Sequence, residues 1–127
     1  MEGSVAVAVV DGNAGARQAL VRQLGQVHGV SVVGEAEDPE EALRMVRDQR
    51  PQVVVMDVRR MEPKGPEFVG RLVADAPGLA VVILTAYLTE RERYDLVGAG
   101  ARAILLKEID SGALVRTIRT VAAPTWG

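Results

Sequence analysis

The run Val53-Val54-Val55-Met56 is apolar without a break, mostly β-branched, and stops abruptly at Asp57. Pro51 stands before it, and Pro63, Gly65 and Pro66 follow, so residues that break regular structure bound it on both sides. A short continuous run of this kind fits a strand buried on both faces, as in a parallel sheet. Its carboxylate then stands at the strand's carboxyl end, where open α/β sheets place their ligands. An acid at that point either caps the strand or the turn after it, or acts as a nucleophile that accepts a phosphoryl group. The rest of the chain decides between these readings.

Val5–Val10 is a second apolar run, and it also ends in an acid, Asp11, followed by Gly12 and Asn13. Ala16, Leu20, Leu24 and Val27, with Ala19 beside them, then recur at helical spacing, while Arg17, Gln18, Arg22 and Gln23 lie opposite. This predicts a helix ended by Gly29, with His28 a solvent-facing residue of its last turn. Residues 30–33 read as a short strand closed by Gly34. Asp38 caps the next helix, Pro39 suits its first position and Glu41 can reach back. Ala42, Leu43 and Val46 give that helix its apolar face, and Pro51 stops it.

Past Asp57, residues 58–66 form a loop by their Pro and Gly content. Residues 67–74 read as a helix with Phe68, Val69 and Leu72 as apolar contacts, broken by Pro77 and Gly78. Residues 80–84 form a strand ending in Thr85, and Thr89-Glu90-Arg91-Glu92 has the spacing of a capping box for a helix to about Ala99. Ala103–Leu106 forms a strand ending in Lys107. Asp110 or Ser111 caps a last helix with Leu114, Val115, Ile118 and Val121 as its apolar positions, ended by Pro124.

A strand followed by a helix thus recurs five times. Right-handed crossovers of this type give a three-layer α/β fold, a parallel sheet with helices on both faces. The 127 residues suffice for one core, with one domain expected over residues 1–123 and a frayed tail, the possible beginning of a linker, over 124–127. Only 3% of residues are aromatic, so the core is built from Val, Leu, Ile and Ala. The absence of cysteine excludes disulfides and thiolate metal sites, and a single histidine excludes a His cluster. A net charge of −2 and dispersed basic residues give no general attraction to nucleic acid or anionic lipid. No apolar run approaches the length of a membrane span, and the amino terminus lacks a basic region followed by an apolar one, so a cytoplasmic protein is expected.

Four polar residues now stand at equivalent places, just past the carboxyl ends of four strands: Asp11, Asp57, Thr85 and Lys107. Phosphoryl transfer rests on positioning and on neutralising charge on the equatorial oxygens. A carboxylate can attack and form an acyl phosphate. Because two anions must meet, a divalent cation is expected, and Mg²⁺ prefers carboxylate and water oxygens, which Asp11 and Asp57 offer. Lys107 can pair with a phosphate oxygen as a point charge. The Thr85 hydroxyl can bond another oxygen once the phosphoryl group is present, a contact expected only in the modified state.

With those residues in view, the chain resembles the receiver domain of bacterial response regulators from end to end. The resemblance is carried by Val9-Val10-Asp11, by Gly34-Glu35-Ala36, by Val55-Met56-Asp57-Val58-Arg59 with Gly65 eight residues past Asp57, by Leu84-Thr85-Ala86, and by Gly100-Ala101-Arg102 leading to Leu105-Leu106-Lys107. Glu108 after Lys107, in place of proline, resembles the subgroup with a LuxR/NarL-type output domain. The resemblance implies a flavodoxin-like sheet in the order 2-1-3-4-5 and a partner histidine kinase that donates a phosphoryl group to Asp57. It implies a Mg²⁺ site formed by Asp11, Asp57 and the Arg59 carbonyl. It also implies a homodimer through the face of helix four, strand five and helix five, or another helical face, where Arg91, Tyr94, Arg102 and Arg116 are candidate contacts.

The sequence departs from that pattern in three places. The family has two adjacent acids after strand one, and here they are Asp11 and Gly12, which should weaken or abolish Mg²⁺ binding. Ile104 stands at the switch position, where the family has Tyr or Phe, and offers no polar tip. Arg60-Met61-Glu62 replaces the usual Met-Pro-Gly, with Arg60 read as a solvated loop residue. Two readings follow: a receiver phosphorylated at Asp57 with weakened metal dependence, or a pseudo-receiver serving as a phosphorylation-independent dimerisation or interaction module. On either, no turnover of an external substrate is expected. A phosphatase with an Asp nucleophile, of the dehalogenase type, needs a second acid where Asn13 stands and room for a cap domain. Gly98-Ala99-Gly100-Ala101 follows a predicted helix rather than a strand, so it is a helix stop and not a dinucleotide loop. The acidic stretch from Glu35 to Glu41 is a solvated loop and helix start.

Overall fold

In the computed structural model, which describes residues 4–59 and 65–122, the predicted alternation becomes a five-stranded sheet with a helix after each strand. The strands are β1 (Val5–Val10), β2 (Val30–Ala36), β3 (Val53–Met56), β4 (Ala80–Thr85) and β5 (Ala103–Leu106). The helices are α1 (Ala14–Gly25), α2 (Pro39–Gln49), α3 (Gly65–Asp75), α4 (Glu90–Ala99) and α5 (Ser111–Val121). All strand pairs are parallel, in the order β2-β1-β3-β4-β5, the flavodoxin-like arrangement. The loop at 60–64, with Arg60, Met61 and Glu62, and the tail at 124–127 fall outside the described residues.

The period-two alternation of the strands divides the core into two layers. Val7 and Val9 pack with Leu24 of α1 and with Leu114 and Ile118 of α5. Ala8 and Val10 face the other way, toward Leu43 and Val46 of α2, Phe68, Val69 and Leu72 of α3, and Leu96 of α4. The central strands are covered on both sides, which is why their sequences are apolar at consecutive rather than alternate positions. β5 lies at the sheet edge, and all four of its residues are half-buried.

Sheet order and register set the site. β1 lies beside β3 with Val10 opposite Met56, so the next residues, Asp11 and Asp57, emerge side by side. The Asp57 N–H donates to the Val10 carbonyl at 3.0 Å. Thr85 lies opposite Leu106, and the Lys107 N–H donates to the Thr85 carbonyl at 2.8 Å.

Three local expectations need correction. α1 ends at Gly25, not Gly29: the Gln26 N–H turns back to the Gln23 and Leu24 carbonyls and closes the helix. Gly29, at φ 84°, serves a turn into β2, and exposed His28 lies in that turn, its carbonyl accepting from Arg119 Nη2 at 2.8 Å. β2 does not stop at Gly34 but runs to Ala36, with a register shift at the Val7/Ala8 step of β1. Gly34 marks a close approach instead, since a Cβ there would sit 2.7 Å from Met45 Cγ of α2. Arg17, expected opposite the apolar face of α1, has a side chain only 13% exposed and turns toward the sheet.

The caps follow the sequence. Asp38, Thr89 and Asp110 each accept from a backbone N–H of the first turn of their helix. At Thr89 the capping box closes in both directions, with the Thr89 N–H donating to Glu92 Oε1 at 2.8 Å. α4 depends on that cap, because Leu96 is its one buried residue. Thr89→Ala is expected to cost about 1 kcal/mol, with the loss concentrated in α4. Amide hydrogen exchange should accelerate across Glu90–Ala99 and leave β1 and β3 unchanged.

Candidate functional site

Asp57 leaves β3 with its carboxylate turned into the molecule, and its partners come from three other places in the chain. Lys107 Nζ, just past β5, lies 2.8 Å from Oδ2. The Thr85 hydroxyl, at the end of β4, donates to Oδ1 at 3.2 Å. The Arg59 backbone N–H donates to the same oxygen at 3.0 Å. Asp11 completes the group from β1, with Oδ2 3.4 Å from Lys107 Nζ and Oδ1 accepting the Asn13 N–H at 2.8 Å. Among the described residues, the buried polar or charged residues are Asp11 at 8%, Asp57 at 8% and Thr85 at 0% exposure. Burying two carboxylates is costly unless they are paired, and Lys107 pairs with both.

The sequence profile of the family described as "Response regulator receiver domain" matches residues 7–119. The chain belongs to that family. It is 36% identical over 119 residues to the DNA-binding transcriptional activator DevR/DosR of Mycobacterium tuberculosis, covering 94% of this chain and 55% of that protein. It is 34% identical over 119 residues to the response regulator GacA of Pseudomonas protegens, covering 94% and 56%. Its fold superimposes on the signal receiver domain of the response regulator NarL from Mycobacterium tuberculosis with a TM-score of 0.87 at 26% identity, covering 95% of this chain and 98% of that one. This receiver domain thus spans about half the length of the curated relatives it matches.

Around Asp57, this receiver domain is held by contacts that the sequence does not announce. Arg17 Nη1 donates to the Asp11 carbonyl at 2.8 Å, and its Nε pairs with Glu35 at 3.0 Å, tying the loop after β1 to the end of β2. Asn13 caps α1 by accepting the Ala16 N–H at 2.9 Å, so its side-chain oxygen is already engaged. Gly65 opens α3 hard against Val58, where a Cβ would lie 2.7 Å from Val58 Cβ. Arg59 extends away from Asp57 toward the loop before α4. There its guanidinium lies 4.2 Å from the Tyr87 ring centre and Nη1 donates to the Tyr87 carbonyl at 3.2 Å. Ile104 is half-buried and packs against the core layer beneath α2, α3 and α4. A cavity of about 190 Å³ runs inward from Asp11, Asp57 and Lys107 between Ala16, Leu20 and Leu84.

Thr85 is expected to bond a phosphoryl oxygen once one is present, and before that it has a partner at the site. Its hydroxyl already donates to the unmodified carboxylate, because a fully buried hydroxyl needs an acceptor and Oδ1 is within reach. Receiver domains typically use Mg²⁺ at this site. Here the donor set fits that ion poorly: Gly12 has no side chain, Asn13 is spent on the helix cap, and Lys107 faces both carboxylates. Among the described residues, no three acidic or histidine side chains gather around one point. Space for the missing acid remains, since a Cβ on Gly12 would meet only the Glu37 carbonyl, at 3.5 Å.

Partial burial pushes the Lys107 ammonium down, but the hydrogen bond and charge of Asp57, with Asp11 behind, outweigh it and hold the group above its ordinary 10.5. The ion pair therefore contributes fully below pH 10.5, and its contribution is lost as the pH rises through the higher value of the folded protein. Lys107→Ala leaves two buried carboxylates facing each other. With the lysine about a third exposed, the expected loss is about 1–2 kcal/mol at pH 7, below that of a fully buried pair. Urea unfolding should give this difference at neutral pH. It should shrink at strongly alkaline pH, as Lys107 loses its charge.

Proposed function

We propose that this receiver domain accepts a phosphoryl group on Asp57 from a sensor histidine kinase and passes the change to a partner or dimer surface. The observation that supports this most is the set of donors on one buried carboxylate, with Lys107 on Oδ2 and Thr85 with the Arg59 N–H on Oδ1. In the transfer, the P–N bond of a phosphohistidine breaks and its electron pair leaves with the imidazole, while a P–O bond forms to the Asp57 carboxylate. Lys107 then follows the charge onto a phosphoryl oxygen, and Thr85 bonds another. The domain is a single-turnover acceptor in the cytoplasm, without an external substrate of its own.

The metal site is weak or absent in this reading, with Asp11, Asp57 and the Arg59 carbonyl as its remaining donors. The surface that changes is the face of α4, β5 and α5, through which the domain forms a homodimer. Tyr94 and Val97 of α4 stand 77% and 57% exposed there, an apolar feature that a partner would cover. Arg91, Arg102 and Arg116 are exposed and would supply its charge. DNA binding, which the name of DevR/DosR states for that protein, is not assigned to this domain.

One feature favours a second reading, in which the domain works without phosphorylation: Gly12 leaves the acidic pair one carboxylate short, so the cation that phosphoryl transfer calls for is poorly held. The two readings separate on treatment with acetyl phosphate. We expect wild type to gain the mass of one phosphoryl group and Asp57→Asn to gain none. Label surviving in Asp57→Asn would move the acceptor elsewhere, and an unlabelled wild type with unchanged amide resonances near Thr85 would favour the phosphorylation-independent module. Gly12→Asp restores the second acid of the pair in a space that admits it. Titration calorimetry should give tighter Mg²⁺ binding in this variant by about tenfold or more, one added carboxylate ligand being worth at least 1.4 kcal/mol.

A further inference from the structure

The acceptor site holds two carboxylates against one ammonium. Phosphorylation replaces the single charge of Asp57 with a group that carries about two negative charges at neutral pH. With Gly12 in place of an acid and Asn13 engaged in the helix cap, a bound divalent ion is poorly supported. Positive charge must come from the protein, and Lys107 is already committed to both acids.

Arg59 is a cation whose main chain already stands at Asp57 and whose side chain is held only at a partly exposed ring. Its backbone is fixed at the acceptor by the N–H bond to Asp57 Oδ1 at 3.0 Å. Its side chain is directed away, stacked 4.2 Å from the centre of the Tyr87 ring and bonded to the Tyr87 carbonyl at 3.2 Å. Tyr87 is itself 59% exposed, so the stack holds it by one face only. The same guanidinium lies near Glu92, whose carboxyl is held below its usual range first by the Thr89 backbone N–H, then by the Thr89 hydroxyl, with the charge of Arg59 adding to this. Arg59 therefore spans two loops. Its main chain belongs to the acceptor, and its side chain holds the segment that leads into α4. A cavity of about 320 Å³, lined by Arg59, Thr85, Tyr87 and Glu92, leaves room for the side chain to change rotamer.

We propose that Arg59 is the cation this chain supplies in place of the metal: its guanidinium leaves Tyr87 to pair with the phosphoryl oxygens on Asp57, and the freed Tyr87 segment carries the signal into α4. The proposal deepens the phosphoacceptor reading and rests on it. A planar guanidinium suits two phosphoryl oxygens at once. The stack it gives up is weak, since an exposed cation–π pair is worth about 0.5–1 kcal/mol. Ile104, on the neighbouring edge strand, has no polar tip with which to take part. In this chain the ring that responds is Tyr87, four residues after Ile83, the residue paired with Ile104 across the sheet.

The test is beryllofluoride binding to the whole chain, followed by ¹⁹F NMR in the presence of a chelator and again with added Mg²⁺. Wild type should bind without Mg²⁺, with the Tyr87 ring resonances shifting on binding. Arg59→Gln should weaken binding about tenfold or more, because it removes a charged hydrogen-bonded contact. Arg59→Lys should recover part of it. Tyr87→Leu should tighten binding about 2–5-fold, because the competing stack is gone, an effect that a merely structural role for Arg59 does not produce. Arg59→Gln binding as well as wild type, or wild type binding only with Mg²⁺, overturns the inference and leaves the phosphoacceptor reading standing. Wild type failing to bind under both conditions overturns both.

Discussion

Two buried carboxylates share one ammonium at the carboxyl edge of the sheet, and the loops around them are arranged to make that tolerable. Lys107 bridges Asp57 and Asp11 from the opposite side of the sheet, so β5 is tied to β3 and β1 across β4. The remaining acceptor capacity is met by the Thr85 hydroxyl and by the backbone N–H groups of Arg59 and Asn13. Among the described residues, no buried side-chain nitrogen or oxygen lacks a partner. Any change in charge at Asp57 must therefore be felt at the ends of β1, β4 and β5 together, because each contributes a group to the same balance.

The elements differ in how firmly they answer such a change. β1, β3 and β4 are covered on both faces and have no room to shift. α4 is anchored by Leu96 and a capping box, while its outer face carries exposed Tyr94 and Val97. A hydrogen bond rearranged at Thr85, four residues before the α4 cap, acts on the least constrained helix of that layer. Rigid strand ends thus stand beside a loosely held helix, and a small local free energy can bias only an element with little to lose.

Gly12 is the departure with the widest consequence. It removes one negative charge and one metal donor, and it leaves Lys107 opposite two acids rather than three. The resulting site holds two carboxylates against one ammonium. Arg59, joined to the acceptor through its own N–H and resting on Tyr87, is placed to answer that imbalance.

Much of this was legible in the residues alone. Continuous β-branched runs, their polar terminators and the caps at Asp38, Thr89 and Asp110 are local features, governed by periodicity and by hydrogen bonds spanning three or four residues. They fix the order of elements and put Asp11, Asp57, Thr85 and Lys107 at strand ends. Where they err, at Gly29 and Gly34, a glycine's local preference was overruled by a turn elsewhere or by the approach of Met45. The folded molecule alone decided that Arg17 turns inward to the Asp11 carbonyl, that Thr85 engages the unmodified carboxylate, and that Arg59 lies on Tyr87. Those contacts join segments separated along the chain, and their existence depends on strand register, on the space beside each side chain and on which acceptor is left without a donor, none of which is encoded by spacing.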